Sequence, residues 1–275
     1  MALTADKKSR IQEIVKGILE RRIETFPADA SLNRNAPFHD AFLSAFREQL
    51  KAVAVPTPYL VAIASWMHGL NTSMGTGFEN IAHVLSGGYK KSFARGFRLK
   101  ISSVQSARIS AITVGLASGA IRPNRIEEDK LIMSDVKAGE PLQDALEFTA
   151  DVYLESADAV ECIELKSVRP NKGEGRGEKE KILHGKAALK RLHSKKTISF
   201  FVGFPFDPTS PSPTEYDKSR FIRHLIGFEK FFDPDEILVA SELWDHLSGQ
   251  RNTMQELLQL TTETVKQFCA VSKNL

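Results

Sequence analysis

The run TISFFVGF at Thr197–Phe204 carries only two polar side chains, Thr197 and Ser199, among β-branched and aromatic neighbours. A continuous apolar run of this length, bounded by turn residues, fits a strand buried on both faces, and such a strand needs a sheet with helices over it. Ile237–Ala240 reads as a second, shorter strand of the same kind. Ahead of them, Glu178–Leu192 places Ile182, Leu183, Ala187, Leu189 and Leu192 at helical spacing. Strand and helix patterns in succession predict an α/β fold with a mixed central sheet. Asp207–Pro213 (DPTSPSP) is expected as a surface loop.

The first half has a different period. Ile11, Ile14, Val15, Ile18 and Leu19 form a helical stripe. Similar stripes run through Phe38–Ala54, Pro58–Leu70 and Phe78–Leu85, with Pro56 and Pro58 as punctuation. Asn71-Thr72-Ser73 is expected to stop one helix and cap the next. Ser103–Leu116 is expected as a helix ending near Gly119 and Pro123, and a last amphipathic helix spans about Thr253–Val271. The expectation is one domain over 1–275, mainly helical over 1–130 and α/β over 140–275. The sheet would begin near residue 146, with the helical half packed on it.

Leu146–Leu154 and Ala159–Val168 are rich in β-formers, and Glu155-Ser156-Ala157-Asp158 is short enough to join them as a hairpin. In a strand, side chains alternate faces, so Cys162, Glu164 and Lys166 share one and Ile163 and Leu165 the other. Pairing brings Asp151 within reach of Glu164. Two carboxylates beside an ammonium suit a hard cation such as Mg²⁺, which takes one or two protein carboxylates along with phosphate oxygens and water. They therefore suit metal-assisted phosphodiester hydrolysis. A second Glu-x-Lys, Glu128-Asp129-Lys130 in NRIEEDKL, fits a solvated helix or loop. On pattern alone the first copy could equally be the solvated outer face of an edge hairpin.

The residues that follow are basic: Lys166, Arg169, Lys172, Arg176, Lys179, Lys181, Lys186 and Lys190. Gly173, Gly175 and Gly177 suggest a loop whose backbone can approach a ligand. It is no nucleotide phosphate loop, since no Gly-Lys-Ser/Thr follows. A basic, glycine-bearing segment after a candidate metal site fits contact with a nucleic-acid backbone or groove; a solvated charged face is the alternative. GGYKKSFARGFRLK (Gly87–Lys100) is a second basic segment with interleaved aromatics, suited to phosphate contact.

With these residues in hand, the chain resembles the PD-(D/E)xK nuclease superfamily: Asp151 matches the motif aspartate, and Glu164 with Lys166 the (D/E)xK half. Ala150 stands where the motif names proline. IELKSVRPNKGEGRGEKEKILHGKAAL, GFPFDPTSPSPTEYDKSRF and ILVASELWDHLSG resemble a type II restriction endonuclease family of the TdeIII kind, from about residue 75 onward. The resemblance implies a Mg²⁺-dependent cutter of double-stranded DNA, a homodimer pairing two active sites with two strands, and GGNCC-like targets. In that reading Asp151 and Glu164 hold the metal and Lys166 positions or activates the water. Glu79, in MGTGFENIAHVL, is a candidate further metal carboxylate from an upstream helix; a carboxylate favoured early in a helix by the dipole is the alternative. Arg169, Asn171, Arg176 and Lys179 are candidates for base edges. Lys172, Lys181, Lys186, Lys90, Lys91 and Arg95 are candidates for phosphates. Two rival functions remain: a structure-selective repair or junction-resolving nuclease, and a non-catalytic DNA-binding module.

Other chemistries find little support. Cys162 and Cys269 lack metal-ligand spacing and fit small buried or half-buried thiols. The seven histidines make no HxH, HxxxH or HExxH pattern, and no G-x-S-x-G elbow occurs. Asp207 and Asp217 could lie near the site, although a proline-rich turn before a helix starting near Thr214 accounts for them; Trp66 and Trp244 fit the core. The net charge of +3 permits a polyanion partner without requiring one. No apolar run reaches the ~20 residues of a bilayer span, and MALTADKKSRIQEIVKGILERRIETF reads as a charged amphipathic helix. A soluble cytoplasmic protein is expected.

Overall fold

The computed structural model describes residues 3–27, 37–46, 56–134, 139–166 and 172–272. The chain divides into two compact units, Met1–Lys7 with Glu79–Gln259 and Lys8–Phe78 with Leu260–Leu275. Its helices in chain order are α1 (Ala5–Ile23), α2 (Pro37–Ser44), α3 (Thr57–Ser86), α4 (Ser103–Ser118), α5 (Arg125–Met133), α6 (Lys172–Leu192), α7 (Lys218–His224), α8 (Ser241–Ser248) and α9 (Thr253–Ser272). The strands are β1 (Tyr89–Phe93), β2 (Lys100–Ser102), β3 (Leu142–Asp144), β4 (Phe148–Glu155), β5 (Ala159–Leu165), β6 (Thr197–Phe204) and β7 (Ile237–Val239).

The larger unit is built on a five-stranded mixed sheet in the order β1-β4-β5-β6-β7. β1 and β5 both run antiparallel to β4, whereas β5, β6 and β7 are mutually parallel. A parallel pair needs a crossover, and α6 supplies it between β5 and β6. β6 lies between β5 and β7; its Ile198, Phe200, Val202 and Phe204 are buried, whereas Ser199 and Phe201 on the opposite face are only half-buried, so the cover expected on both faces is met in part. Val152, Val160, Ile163, Val202, Ile237 and Val239 are fully buried; each such side chain contributes roughly 1.5–3 kcal/mol. The rings of Phe93 and Phe148 stack at 4.7 Å, and Phe148 meets Phe200 edge-on at 5.6 Å. From α6, Leu183, Ala187 and Leu189 are fully buried. Gly185 gives Phe200 and Phe148 room, their rings lying 3.0 and 3.3 Å from where a Cβ would stand.

β2 and β3 pair separately beside the main sheet. The Ser102 hydroxyl accepts from the Gln105 N–H while the Gln105 side chain accepts from the Ser102 N–H, a capping box that starts α4. Gly119, at φ 76°, ends it where the sequence reading placed the end. The Gln105 amide also donates to Ile132 O, tying α4 to the end of α5.

In the smaller unit, the Trp66 indole donates to Arg22 O at 3.0 Å and meets the Phe26 ring edge-on. Asn71-Thr72-Ser73 does not interrupt the helix: α3 continues through it. Thr72 and Ser73 turn their hydroxyls back onto the carbonyls of His68 and Gly69, which satisfies them inside a helix.

Two further expectations are revised. Gly87–Lys100 is not only a basic segment, since it contributes β1, the edge strand beside β4. The glycine run is not a loop, since α6 begins at Lys172 and takes Gly173, Gly175 and Gly177 into its first turns. Gly175 is a packing glycine: the Phe228 and Phe231 rings lie 3.4 and 3.5 Å from where its Cβ would stand.

Candidate active site

The β4–β5 hairpin sets the geometry. Its register pairs Val152 with Ile163, which puts Asp151 across from Glu164. Asp151 Oδ2 accepts the backbone N–H of Leu165 at 2.9 Å, fastening the carboxylate to the strand that carries Glu164. At the end of β5, the Lys166 N–H donates to Gly203 O at 2.8 Å and extends the pairing with β6 by one residue. Gly203 is needed for this close approach, because a Cβ there would stand 2.9 Å from the side chains of Leu165 and Leu243.

The side chains converge as the sequence pattern predicts. Lys166 Nζ lies 2.9 Å from Glu164 Oε1. Lys90, at a bulge in β1, places its Nζ 3.1 Å from Asp151 Oδ1 and 2.8 Å from Glu79 Oε2. β-Bulges commonly re-aim side chains in this way beside active sites. Glu79 therefore meets Asp151 through Lys90. One turn further along α3, His83 Nε2 donates to Asp151 O at 2.6 Å. A cleft of about 420 Å³ opens over the group, lined by Lys90, Thr149, Asp151, Glu164 and Lys181 among others. A neighbouring cleft of about 520 Å³ shares Glu147 and Lys181 and reaches Arg98 and Gly177.

Glu178 and His83 were not singled out in the sequence. Glu178 Oε1 accepts from Lys166 Nζ at 3.2 Å, and Glu178 Oε2 lies 2.9 Å from Lys181 Nζ. In GRGEKEK the cations dominate the pattern, and no spacing rule ties an α6 carboxylate to a residue before the helix. His83 could have been found as the residue one turn from Glu79.

Electrostatics follow from partial burial. Burial raises the proton affinity of Glu164, as does the like charge of Asp151, and Lys166 and Lys181 oppose both only in part. Burial would lower the Lys166 pKa, but Glu164 and Glu178 outweigh it and hold the ammonium above its ordinary range. Lys90 is likewise raised, first by its hydrogen bond to Glu79, against a smaller burial effect, and further by Asp151. Across these ion pairs four carboxylates face three ammonium groups. No group of three or more His, Cys, Asp or Glu poised to hold a metal occurs among the described residues. A Mg²⁺ ion needs fewer, and the hard carboxylate oxygens of Asp151 and Glu164, both lining the one cleft, fit it as a donor pair.

The basic residues divide. Arg176 is exposed, and Lys181 is half-buried on the cleft wall. Arg169 and Asn171 lie outside the described residues, as do the side chains of Lys172 and Arg95. Lys91 places its Nζ 3.8 Å from the centre of the Tyr153 ring and 4.0 Å from Glu155 Oε2.

Lys179 and Lys186 are corrections. Both are fully buried and cannot meet DNA in this fold. Lys179 pairs with Glu128 and, at 2.7 Å, with Glu236; Lys186 pairs with Asp129 at 2.9 Å and Glu236 at 3.3 Å. The Glu-x-Lys copy at Glu128 does lie on a largely solvated helix, with Lys130 exposed, but Glu128 itself is buried against Lys179. This network joins α5, α6 and the turn Pro234–Glu236. Burial would raise the Glu236 pKa, but Lys179 and Lys186 hold it below the usual carboxylate range.

The remaining candidates are structural. Asp207 is buried and accepts from Thr209, Asp217 and Arg220, and Asp217 caps α7, which starts at Lys218. Cys162 is fully buried, with its thiol pKa pushed up by burial. The Trp244 indole donates to Pro205 O inside the core. No helix among the described residues is long and apolar enough to cross a membrane.

A mixed sheet with an aspartate on one strand of a hairpin and Glu-x-Lys closing the next, over a common cleft, is consistent with the PD-(D/E)xK nuclease class. The chain matches the family described as Type II restriction endonuclease, HinfI, over residues 3–264. It is 43% identical over 254 residues to the type II restriction enzyme MjaII of Methanocaldococcus jannaschii, covering 90% of this chain and 68% of that protein. The chain belongs to the HinfI family of type II restriction endonucleases, which makes it a site-specific deoxyribonuclease. The sequence resemblance had pointed to this class through the TdeIII kind; the family that matches carries the HinfI name.

Proposed function

We propose that this endonuclease cuts double-stranded DNA in a Mg²⁺-dependent reaction at the cleft over β4 and β5. The observation that carries the reading is the convergence of Asp151, Glu164 and Lys166, with Lys166 Nζ 2.9 Å from Glu164 and Asp151 bonded to Leu165. Asp151 and Glu164 would hold the cation, with Glu79 as a further carboxylate reached through Lys90. The ion would supply Lewis-acid stabilisation of charge on the scissile phosphate and the leaving oxygen. The Lys166 ammonium orients the attacking water and offsets charge on the phosphate as it develops. Lys181 on the cleft wall contacts the backbone beside it, with Arg169, Asn171 and exposed Arg176 reading bases.

The target carried over from the sequence resemblance is a GGNCC-like site. A homodimer, one copy per strand, fits a site of that symmetry. Digestion of a fully sequenced, unmethylated DNA with Mg²⁺ and with EDTA tests the reading. Discrete fragments with Mg²⁺ alone, whose ends share one short sequence, are expected. DNA left intact under both conditions despite a gel shift would overturn it in favour of a non-catalytic binder. Cleavage only at branched or nicked substrates would favour a junction nuclease.

A further inference from the structure

We propose that Lys90 occupies the cation position of the free protein: its ammonium holds the place on Asp151 and Glu79 that a divalent ion takes, and leaves it for a DNA phosphate when the ion arrives. The inference rests on the metal reading of Asp151 above and goes beyond it. Asp151 Oδ2 is committed to the Leu165 N–H, which leaves Oδ1 for a ligand, and Lys90 Nζ stands 3.1 Å from Oδ1. The same ammonium lies 2.8 Å from Glu79 Oε2, so it bridges two carboxylates from different elements as a small cation would. A β1 bulge aims it there, and the cleft it lines also holds Glu164.

The Lys90 side chain is half exposed, against 13% for Asp151, so the lysine can withdraw while the aspartate stays. A divalent ion at Oδ1 would meet the ammonium at like-charge distance, and the two cannot share the oxygen at low cost. Displacement frees one positive charge at the mouth of the cleft, where a phosphate can accept it. Metal and DNA then assist each other through one side chain, and by linkage the assistance is reciprocal.

The test is Mn²⁺ binding to the full chain without DNA, followed by the paramagnetic resonance of the free ion. Wild type, Lys90→Gln, Lys91→Gln and Asp151→Asn are compared. Lys91→Gln removes the same charge from the adjacent residue, whose partners are Tyr153 and Glu155 instead. Lys90→Gln is expected to tighten Mn²⁺ binding by about tenfold, a modest share of what a removed like charge gives at a partly exposed site. Lys91→Gln should stay within about twofold, since its ammonium lies against Tyr153 and Glu155 and not on the Asp151–Glu79 pair. Equal affinity in wild type and Lys90→Gln, with Asp151→Asn weaker, overturns the lysine proposal and leaves the metal reading standing. Affinity unchanged by Asp151→Asn overturns both.

Discussion

Asp151 accepts the backbone N–H of Leu165 across the β4–β5 hairpin, 2.9 Å away, so the carboxylate is held by the strand that carries Glu164 and delivers Lys166. Charge and position can be separated there. Asp151→Asn keeps an oxygen acceptor for Leu165 and drops the charge. It should fold with near wild-type thermal stability and lose cleavage by at least about 10³-fold, the scale of removing one preorganised electrostatic group. Single-turnover cleavage beside a melting curve checks this; more than a tenth of wild-type activity would contradict it.

Lys166 has a second carboxylate partner, Glu178 on α6, 3.2 Å from its ammonium. If Glu164 turns to a cation, Glu178 is what keeps Lys166 in place. Glu178→Gln should slow the cleavage step by about 10–100-fold, the cost of a loosely held catalytic group, while DNA affinity without metal stays within a few-fold. Glu178→Asp, which keeps the charge, should recover part of the rate. A loss of affinity with an unchanged single-turnover rate would contradict a positioning role.

Cations one turn apart on α6 should behave in opposite ways. Lys179→Met leaves Glu128 and Glu236 buried without their shared partner and should cost about 3–5 kcal/mol. Arg176→Ala removes an exposed side chain and should leave stability within about 0.5 kcal/mol. It should weaken binding to the cognate site by about 1–3 kcal/mol and relax discrimination at one base pair. Denaturant titration and binding to cognate against singly altered DNA separate the two. An unchanged melting midpoint for Lys179→Met would show the ion network to be dispensable.

Asp207 gives a pH dependence with a definite sign. Burial would raise its pKa, but hydrogen bonds from Thr209, Asp217 and Arg220 prevail and hold the carboxyl below its ordinary 3.8. The folded state therefore binds this proton less readily than the unfolded chain does. The stabilisation is fully present above about pH 4, near the unfolded pKa, and is lost as pH falls through the lower folded value. Asp207→Asn should cost about 1–3 kcal/mol at pH 7, and the gap from wild type should shrink as the pH is taken down toward 3. A gap that widens in acid would contradict the assignment.

The sheet and the meeting of Asp151, Glu164 and Lys166 were legible in the sequence for different reasons: TISFFVGF is a continuous apolar run that asks for cover, whereas Glu164 and Lys166 are two residues apart at the end of a strand paired with the one carrying Asp151. Three other features were not legible, for a common reason. Lys179 and Lys186 look like surface cations until tertiary structure brings Glu128, Asp129 and Glu236 around them. Gly173, Gly175 and Gly177 suggest a loop, and only the Phe228 and Phe231 rings beside Gly175 show why a helix tolerates them. The sequence reading put Glu79 and Lys90 in different roles, one as a metal carboxylate and the other as a phosphate contact. Their meeting depends on the fold of α3 against β1, which no local pattern encodes.

In the proposed reaction, Asp151, Glu164 and Lys166 together perform the chemistry. The most direct test forms the enzyme–DNA complex without divalent ion, adds Mg²⁺, and follows strand cleavage in wild type and in Lys166→Ala under single-turnover conditions. Lys166→Ala is expected to bind DNA within a few-fold of wild type and to cleave at least about 10³-fold more slowly. Cleavage within threefold of wild type, with binding intact, would contradict it and place the reaction at another group.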